Sequence, residues 1–380
     1  MRRELAINLI SDLMEWSDAE ATREYAWLKL MVDYKFDHYH GYGPGIHFYV
    51  RLISWLGQFK GLPERQLAYR YLRHHLVFVG QPELHQLIKL AMPEMEKEAR
   101  RTVASRHNIS YYETWTNKIA QQDLKLMSLR TLYVGLSDGA RIDVFRREND
   151  GLLTNEQVVA SCEISDEKWE SLGNKLADRL KQSGFPRAEC KFERVCLVDD
   201  FTGSGTTLIR HDETTAVWDG KVHKFCRQAE QHKDKRPQLA ERCHIQVHHY
   251  LASAKAKEKI ENLVPKFQST MSRFNVKTSY SWVLSADPSV VMGPGSDDDL
   301  IEWIENHYDP SIESTHNCKD GRPIALGYKQ CGLPIVLEHN TPNNSIALVW
   351  ATSKPDSRNP HIMRPLFPRI DRHIDNGQSV

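Results

Sequence analysis

Apolar residues recur at helical spacing through the first hundred positions. Leu5, Leu9, Leu13 and Trp16 share one face, and Ser17 with Glu20 forms a capping-box pattern that opens a second helix. Tyr25, Leu28 and Val32 line that helix before Gly41, Gly43, Pro44 and Gly45 break the chain. Phe48, Leu52, Trp55, Leu56 and Phe59 form the next stripe, and further helices are expected over 65–79 and 82–91. The aromatic residues here, Trp16, Trp27 and Trp55 among them, read as the core of a helix bundle, so 1–105 is assigned to an N-terminal helical domain.

Beyond about Arg130 the pattern changes. Short apolar runs at 131–136, 194–198, 245–251 and 280–284 alternate with amphipathic stretches around 168–182 and 255–267. Strands separated by helices predict a parallel sheet with crossovers, an α/β domain over 106–370. The polar stretch 219–242 reads as an insertion or mobile loop, and 371–380 as a frayed tail.

Composition narrows the class without naming a chemistry. Of 380 residues, 40% are hydrophobic and 26% charged, as in an ordinary globular protein. Fifty basic residues balance fifty acidic ones, which argues against a strong general nucleic-acid footprint and against a membrane-surface protein. No apolar run approaches the ~20 residues that span a bilayer, and Asn8, Ser11 and Asp12 interrupt what would have to be a signal-peptide core. The seven cysteines are odd in number and scattered, which fits reduced thiols and a cytoplasmic location.

The chemistry concentrates in one run. Val195 to Val198 are apolar, Asp199 and Asp200 follow, and then comes a small, hydroxyl-rich loop, Thr202, Gly203, Ser204, Gly205, Thr206 and Thr207. A buried strand ending in such a turn puts a ligand site beyond its carboxyl end. Glycines allow backbone N–H groups to wrap a phosphate, and a helix expected to start near Thr207 would add its N-terminal dipole. Asp199 and Asp200 are placed to accept hydrogen bonds from ribose hydroxyls, directly or through Mg²⁺. A P-loop would need a lysine in this loop, and a dinucleotide fingerprint a glycine where Leu208 stands.

The segment from Asp199 to Thr207 resembles the signature of type I phosphoribosyltransferases. That resemblance implies a parallel sheet flanked by helices, contact of Asp199 and Asp200 with the ribose, and a grip of Ser204 to Thr207 on the 5′-phosphate of phosphoribosyl pyrophosphate (PRPP) or a nucleotide. Such enzymes also carry a pyrophosphate loop after an earlier strand, and Ser137, Asp138, Gly139 and Arg141 are the candidate. Members acting on 6-oxopurines place an aspartate base where this chain has Gly203, so purine salvage is not expected. With the run 327–350, Leu366 to Arg369 and the helical N-terminus, the chain is similar to the PRTase-CE group of bacterial conflict and antiphage systems. The implied activity is cleavage or transfer at ribose C1, through a transition state with positive charge on the sugar. Mg²⁺ is then the expected cofactor, and protein partners from a defence system become possible. An inactive PRPP or nucleotide sensor signalling through the helical domain, and a nucleotide glycosidase toxin, are the alternatives.

Other clusters are weaker. Asn340, Asn343 and Asn344, in a turn between two apolar runs, read either as an ordinary turn or as a hood over the base. Cys226, Cys243, His244, His248 and His249 lack the spacing of a zinc site, and none is expected. Asp297, Asp298 and Asp299 suit a helix N-terminus, and Arg146 with Arg147 a solvated pair.

Overall fold

In a computed structural model, residues 3–231, 238–271, 273–314, 318, 321–353 and 361–370 are described. The chain divides into two compact units, one made of Met1–Gln81 with Ser285–Val380, the other of Pro82–Leu284.

The first unit is mostly helical. It opens with α1 (Arg3–Met14), α2 (Asp18–Tyr34), α3 (Phe48–Leu56) and α4 (Leu62–His74). The Ser17–Glu20 capping box forms as its pattern predicts. Helix α4 stops short of the expected residue 79. Val77–Val79 instead form β1, paired in parallel with β9 (Ile335–Leu337), as a triplet of two β-branched residues and an aromatic one favours. Helix α11 (Asp298–Asn306) and the single turn α12 (Ala347–Trp350) complete this unit, the latter where a second apolar strand was expected. Trp55, Phe59, Trp303, Phe36 and Phe367 are buried in one aromatic core drawn from both chain segments.

The second unit carries the sheet. Its elements are α5 (Gln81–His107), which begins at the unit boundary, α6 (Lys118–Leu129), β2 (Thr131–Gly135), α7 (Ile142–Glu148), β3 (Val158–Val159) and α8 (Asp166–Gln182). Then follow β4 (Phe192–Thr202), a hairpin of β5 (Arg210–Asp212) and β6 (Val217–Asp219), α9 (Lys221–Gln231), β7 (Leu239–Ser253), α10 (Ala254–Gln268) and β8 (Phe274–Leu284). Five parallel strands stand in the order β3-β2-β4-β7-β8. Burial on both faces explains the near-continuous apolar runs of β2 and β4. Trp169, Leu172 and Leu176 of α8 and Ile260 and Phe267 of α10 pack in the core that includes Val195, Leu197 and Val247.

The fold is therefore α/β, a five-stranded parallel sheet flanked by helices, with N-terminal helices. The compact units do not divide at 105/106: α5 lies almost wholly with the sheet, and the first unit recruits the C-terminal segment. In its described parts the stretch 219–242 holds α9 and the start of β7; 232–237 lie outside the described residues. The expected tail, 371–380, lies outside them too.

Candidate functional site

Strands β2 and β4 are neighbours with Gly135 opposite Val198, so their carboxyl ends deliver two loops side by side. Asp199 and Asp200 end the continuous buried run of β4, and successive side chains of a strand point to opposite faces. Asp199 is engaged on both oxygens. Its Oδ1 accepts from the Ser137 hydroxyl and, at 3.3 Å, from the Asp200 N–H, while Oδ2 accepts from Lys221 Nζ at 2.8 Å. Burial, and then the charge of Asp200, push the Asp199 carboxyl above its ordinary pKa, against the opposing pull of Lys221 and Ser137. Asp200 Oδ1 accepts the N–H of Phe201 at 2.8 Å.

Gly139 explains why a glycine is needed in the first loop. A methyl group there would come within 2.7 Å of Asp200 Cγ. Arg141 adopts a left-handed conformation (φ 45°, ψ 43°), which turns the chain from the 138–140 turn into α7. The buried Tyr250 hydroxyl donates to the Ala140 carbonyl at 2.9 Å and so pins this loop to β7.

The second loop is pinned as well. Gly203 O accepts from Ser253 Oγ at 2.6 Å, and the same hydroxyl caps α10 by accepting from Ala256 N at 2.9 Å. Gly205 takes φ +72° with Ala256 O and Ile260 beside it, a position closed to most side chains. Ser204 and Thr206 share a hydroxyl–hydroxyl bond of 2.8 Å and are buried with Thr202, whereas Thr207 is exposed.

The helix expected at Thr207 is not there. The β5–β6 hairpin intervenes, held at its base by the Arg210–Asp219 pair, and α9 begins only at Lys221. The chain nevertheless returns to the same place: Lys221 N donates to Thr207 O at 3.0 Å and Val222 N to Leu208 O at 3.2 Å. Gly220 permits this closure at φ +116°, where a methyl would lie 2.7 Å from the Leu208 carbonyl carbon. The hairpin is thus an excursion between loop and helix, and the helix N-terminus meets loop carbonyls where free donors had been expected.

These features — a strand ending in paired aspartates, a pinned Gly/Ser/Thr loop and a second loop from the adjacent strand — sit within the reach of one family model. The PRTase-CE family model matches residues 52–369, more than half of the chain. The chain belongs to the PRTase-CE family. No curated protein and no solved structure matches it.

Within this PRTase-CE chain, two residues near the loops were not read from the sequence as part of this site. Lys221 lies outside the loop where a lysine had been sought, and only the hairpin's closure brings it to Asp199. His249 stands opposite Asp199 in the β4–β7 register, buried, with Nδ1 unpartnered and its ring stacked on Tyr280 at 6.1 Å. Burial, and then the Lys221 charge, lower its pKa to about 3, so it is neutral near pH 7. Its neighbour His248 is held by Ser279 and Ser281 at 2.9 and 2.8 Å.

For Mg²⁺, the donors present are hard oxygens, the carboxylates of Asp199 and Asp200 and the hydroxyl of Ser137, which suit that ion when it arrives with ligand phosphates. Among the described residues, no group of three or more His, Cys, Asp or Glu is arranged to hold a metal without such help. No described helix is long and apolar enough to cross a membrane.

The remaining candidates have local partners. Asn340, Asn343 and Asn344 belong to the other compact unit. Asn340 bonds both ways to the backbone of Ile370, at 2.9 Å each, and Asn344 Nδ2 donates to Tyr328 O at 3.2 Å. Asn343 contributes its carbonyl to Tyr328 N at 2.7 Å. Trp350 is buried, its indole N–H donating to Ser345 O at 2.9 Å. Asp297 caps α11, Arg147 pairs with Asp143, and Arg146 donates to Asn155.

Proposed function

We propose that this protein binds PRPP or a ribose-5-phosphate nucleotide and cleaves or transfers at ribose C1, as an effector in antiphage defence. The observation that carries the reading is the packing of the 137–141 loop on buried Asp199 and Asp200, which lead into the 202–207 loop, at the carboxyl ends of adjacent parallel strands. In a parallel sheet that is where ligands collect. The assigned roles are ribose contact by the aspartates, 5′-phosphate binding by Ser204 to Thr207, and pyrophosphate binding by Ser137, Asp138, Gly139 and Arg141. Asp199 or Asp200, together with ligand phosphates, would hold Mg²⁺, which would supply charge neutralisation.

In the transfer, the bond from C1 to the pyrophosphate oxygen breaks and pyrophosphate leaves with the electron pair. An acceptor atom bonds to C1 and gives up its proton; in the glycosidase variant the C1–N bond of a nucleotide breaks instead, the base leaves with the electron pair and takes a proton, and water bonds to C1. The chain's contribution is positioning and electrostatic stabilisation of a cationic sugar by fixed carboxylates. The defence role rests on family membership.

A second reading, binding without turnover, draws support from Asp199. Both of its oxygens already accept, from Ser137 and Lys221, so a ribose hydroxyl must share an oxygen with one of them. Product formation separates the readings. Under the first, PRPP with Mg²⁺ yields pyrophosphate and wild-type expression changes the nucleotide pool; Asp199→Asn with Asp200→Asn abolishes both, along with protection against phage. Binding of PRPP with no pyrophosphate released, and no metabolite changed, would leave the sensor. Wild-type activity in the double variant would remove the site assignment altogether.

A further inference from the structure

A second cavity, unrelated to the paired aspartates, lies in the helical unit. Met14 and Trp16 at the end of α1, Arg23 and Glu24 of α2, and Gln66, Tyr69, Arg70, Arg73 and His74 of α4 enclose about 410 Å³, within the range of small-molecule pockets. Positions 66, 69, 70 and 73 follow helical spacing, so one face of α4 is polar and cationic and lines this cavity.

The lining has two parts. Trp16 and Tyr69 meet edge to face with ring centroids 5.0 Å apart and form an aromatic wall. Opposite in character are three guanidiniums. Glu24 is the buried anion among them: Tyr69 donates to it at 2.9 Å, and Arg23 and Arg73 pair with it at 3.0 and 3.4 Å. Arg73 also lies over the Trp27 ring at 4.4 Å, so its plane is fixed. Arg70 pairs with Asp297 at 2.9 Å, but both side chains are about 40% exposed, where solvent screens such a pair until it is worth little. Its buried Nε has no hydrogen-bond partner. Glu24 thus serves Arg23 and Arg73, a solvent-screened Asp297 serves Arg70, and a buried donor of Arg70 is left over.

We infer that this cavity is a binding site for a nucleoside monophosphate, independent of the paired-aspartate site. Guanidinium forks match phosphate oxygens, and Arg70 is free to turn from Asp297 towards them. The aromatic wall takes the planar base, and Gln66, which can both donate and accept, suits a base edge. A bare anion would leave the Trp16–Tyr69 wall unused. A triphosphate would bring more negative charge than guanidiniums already shared with Glu24 and Asp297 can match.

The test uses the full chain in two backgrounds, wild type and Asp199→Asn, so that failure of this site and failure of the paired-aspartate site are told apart. AMP, UMP, adenosine and inorganic phosphate are titrated by calorimetry. The inference requires AMP or UMP to bind in both backgrounds, with adenosine and phosphate at least tenfold weaker. Arg70→Gln should weaken the nucleotide tenfold or more, Arg70→Lys less, and Trp16→Leu should reduce it without affecting phosphate. Arg73→Gln adds to the test if it folds; Arg70 and Trp16, towards the rim, carry it if it does not. Three results would overturn the inference: no nucleotide bound in the Asp199→Asn background at millimolar concentration, affinity indifferent to Arg70 and Trp16, or phosphate binding as tightly as AMP.

Discussion

Gly139→Ala probes the packing of the first loop on Asp200 at its tightest point. Gly139 is not in the left-handed region, so alanine meets no backbone obstacle, and the effect isolates the added methyl group. That methyl would sit 2.7 Å from Asp200 Cγ and 3.0 Å from Oδ1. Carbon contacts are comfortable at ~3.5–4.0 Å, so the carboxylate must retreat by about 1 Å. It has little freedom to do so, being buried and accepting the Phe201 N–H at 2.8 Å. Overpacking of this kind costs about 1–3 kcal/mol, of which the reduced entropy of the unfolded chain returns ~0.4–1. A net loss near 1–2 kcal/mol of stability is expected. The loss in binding should be larger relative to its scale: a displaced carboxylate gives up charged hydrogen bonds worth about 1.5–3 kcal/mol, or roughly ten- to 150-fold in Kd. The assay is thermal melting with and without PRPP and Mg²⁺, where ligand at a hundredfold excess over Kd stabilises wild type by about 2.7 kcal/mol. Gly43→Ala, whose methyl would meet nothing nearer than 3.9 Å, is the comparison and should match wild type. If Gly139→Ala keeps both its melting temperature and its full ligand increment, the packing of Gly139 on Asp200 is not what organises the site.

Three further outcomes follow from the same geometry. Asp199 has its pKa raised by burial and by Asp200, so the folded chain holds a proton that the unfolded chain releases, and stability falls as pH rises from about the ordinary 3.8 through the raised value; Asp199→Asn should flatten that segment of a denaturant-midpoint profile and abolish PRPP binding without lowering stability at pH 7. His248 and His249 behave oppositely: both are neutral in the folded chain down to about 3, while the unfolded chain protonates them below 6.5, so stability is lost as pH falls through that window at up to about 2.7 kcal/mol per pH unit, and His249→Gln should halve the slope. Asn344→Ala should lower stability by about 1 kcal/mol, since its amide braces Tyr328 and Cys331, and leave the PRPP increment unchanged; a selective fall in that increment would instead make the amide-rich turn a part of the ligand site.

The aspartate-loop segment was legible because its signal is local. An apolar run, two acids and a glycine–hydroxyl loop in thirteen consecutive residues specify strand, turn and phosphate chemistry without knowledge of any partner, and β4 with its pinned loop answers that pattern. What escaped depended on pairing at a distance. Val77–Val79 looked like the end of a helix because nothing near them in sequence announces Ile335–Leu337, the strand they pair with. For the same reason a line at 105/106 could not anticipate a unit assembled from both ends of the chain. The hairpin at 210–219 masks a helix start that the loop's composition alone would put at Thr207, and Lys221 inherits its place beside Asp199 only through that detour.

The location of the strain in this unit bears on what the loops are for. Most of the sheet obeys one rule, with apolar side chains from both faces packed against helices. Several costly features sit together at the carboxyl ends of β4 and β7, where two carboxylates adjoin, a neutral histidine is buried with Nδ1 unpartnered, and a glycine is wedged against a carboxylate. Each costs stability: like charges resist ionisation in close quarters, and an unpaired buried donor or acceptor forfeits its solvation. A purely structural turn would relieve these costs easily, for instance with Asn at 199 or an apolar residue at 249. Instead the chain adds fixings, through Ser253 to Gly203, Tyr250 to Ala140 and Lys221 to Asp199, that hold the costly arrangement in place. Concentrated unfavourable electrostatics with dedicated bracing is the pattern expected of a preorganised ligand site, where the energy lost on folding is recovered only when charge of the complementary kind arrives.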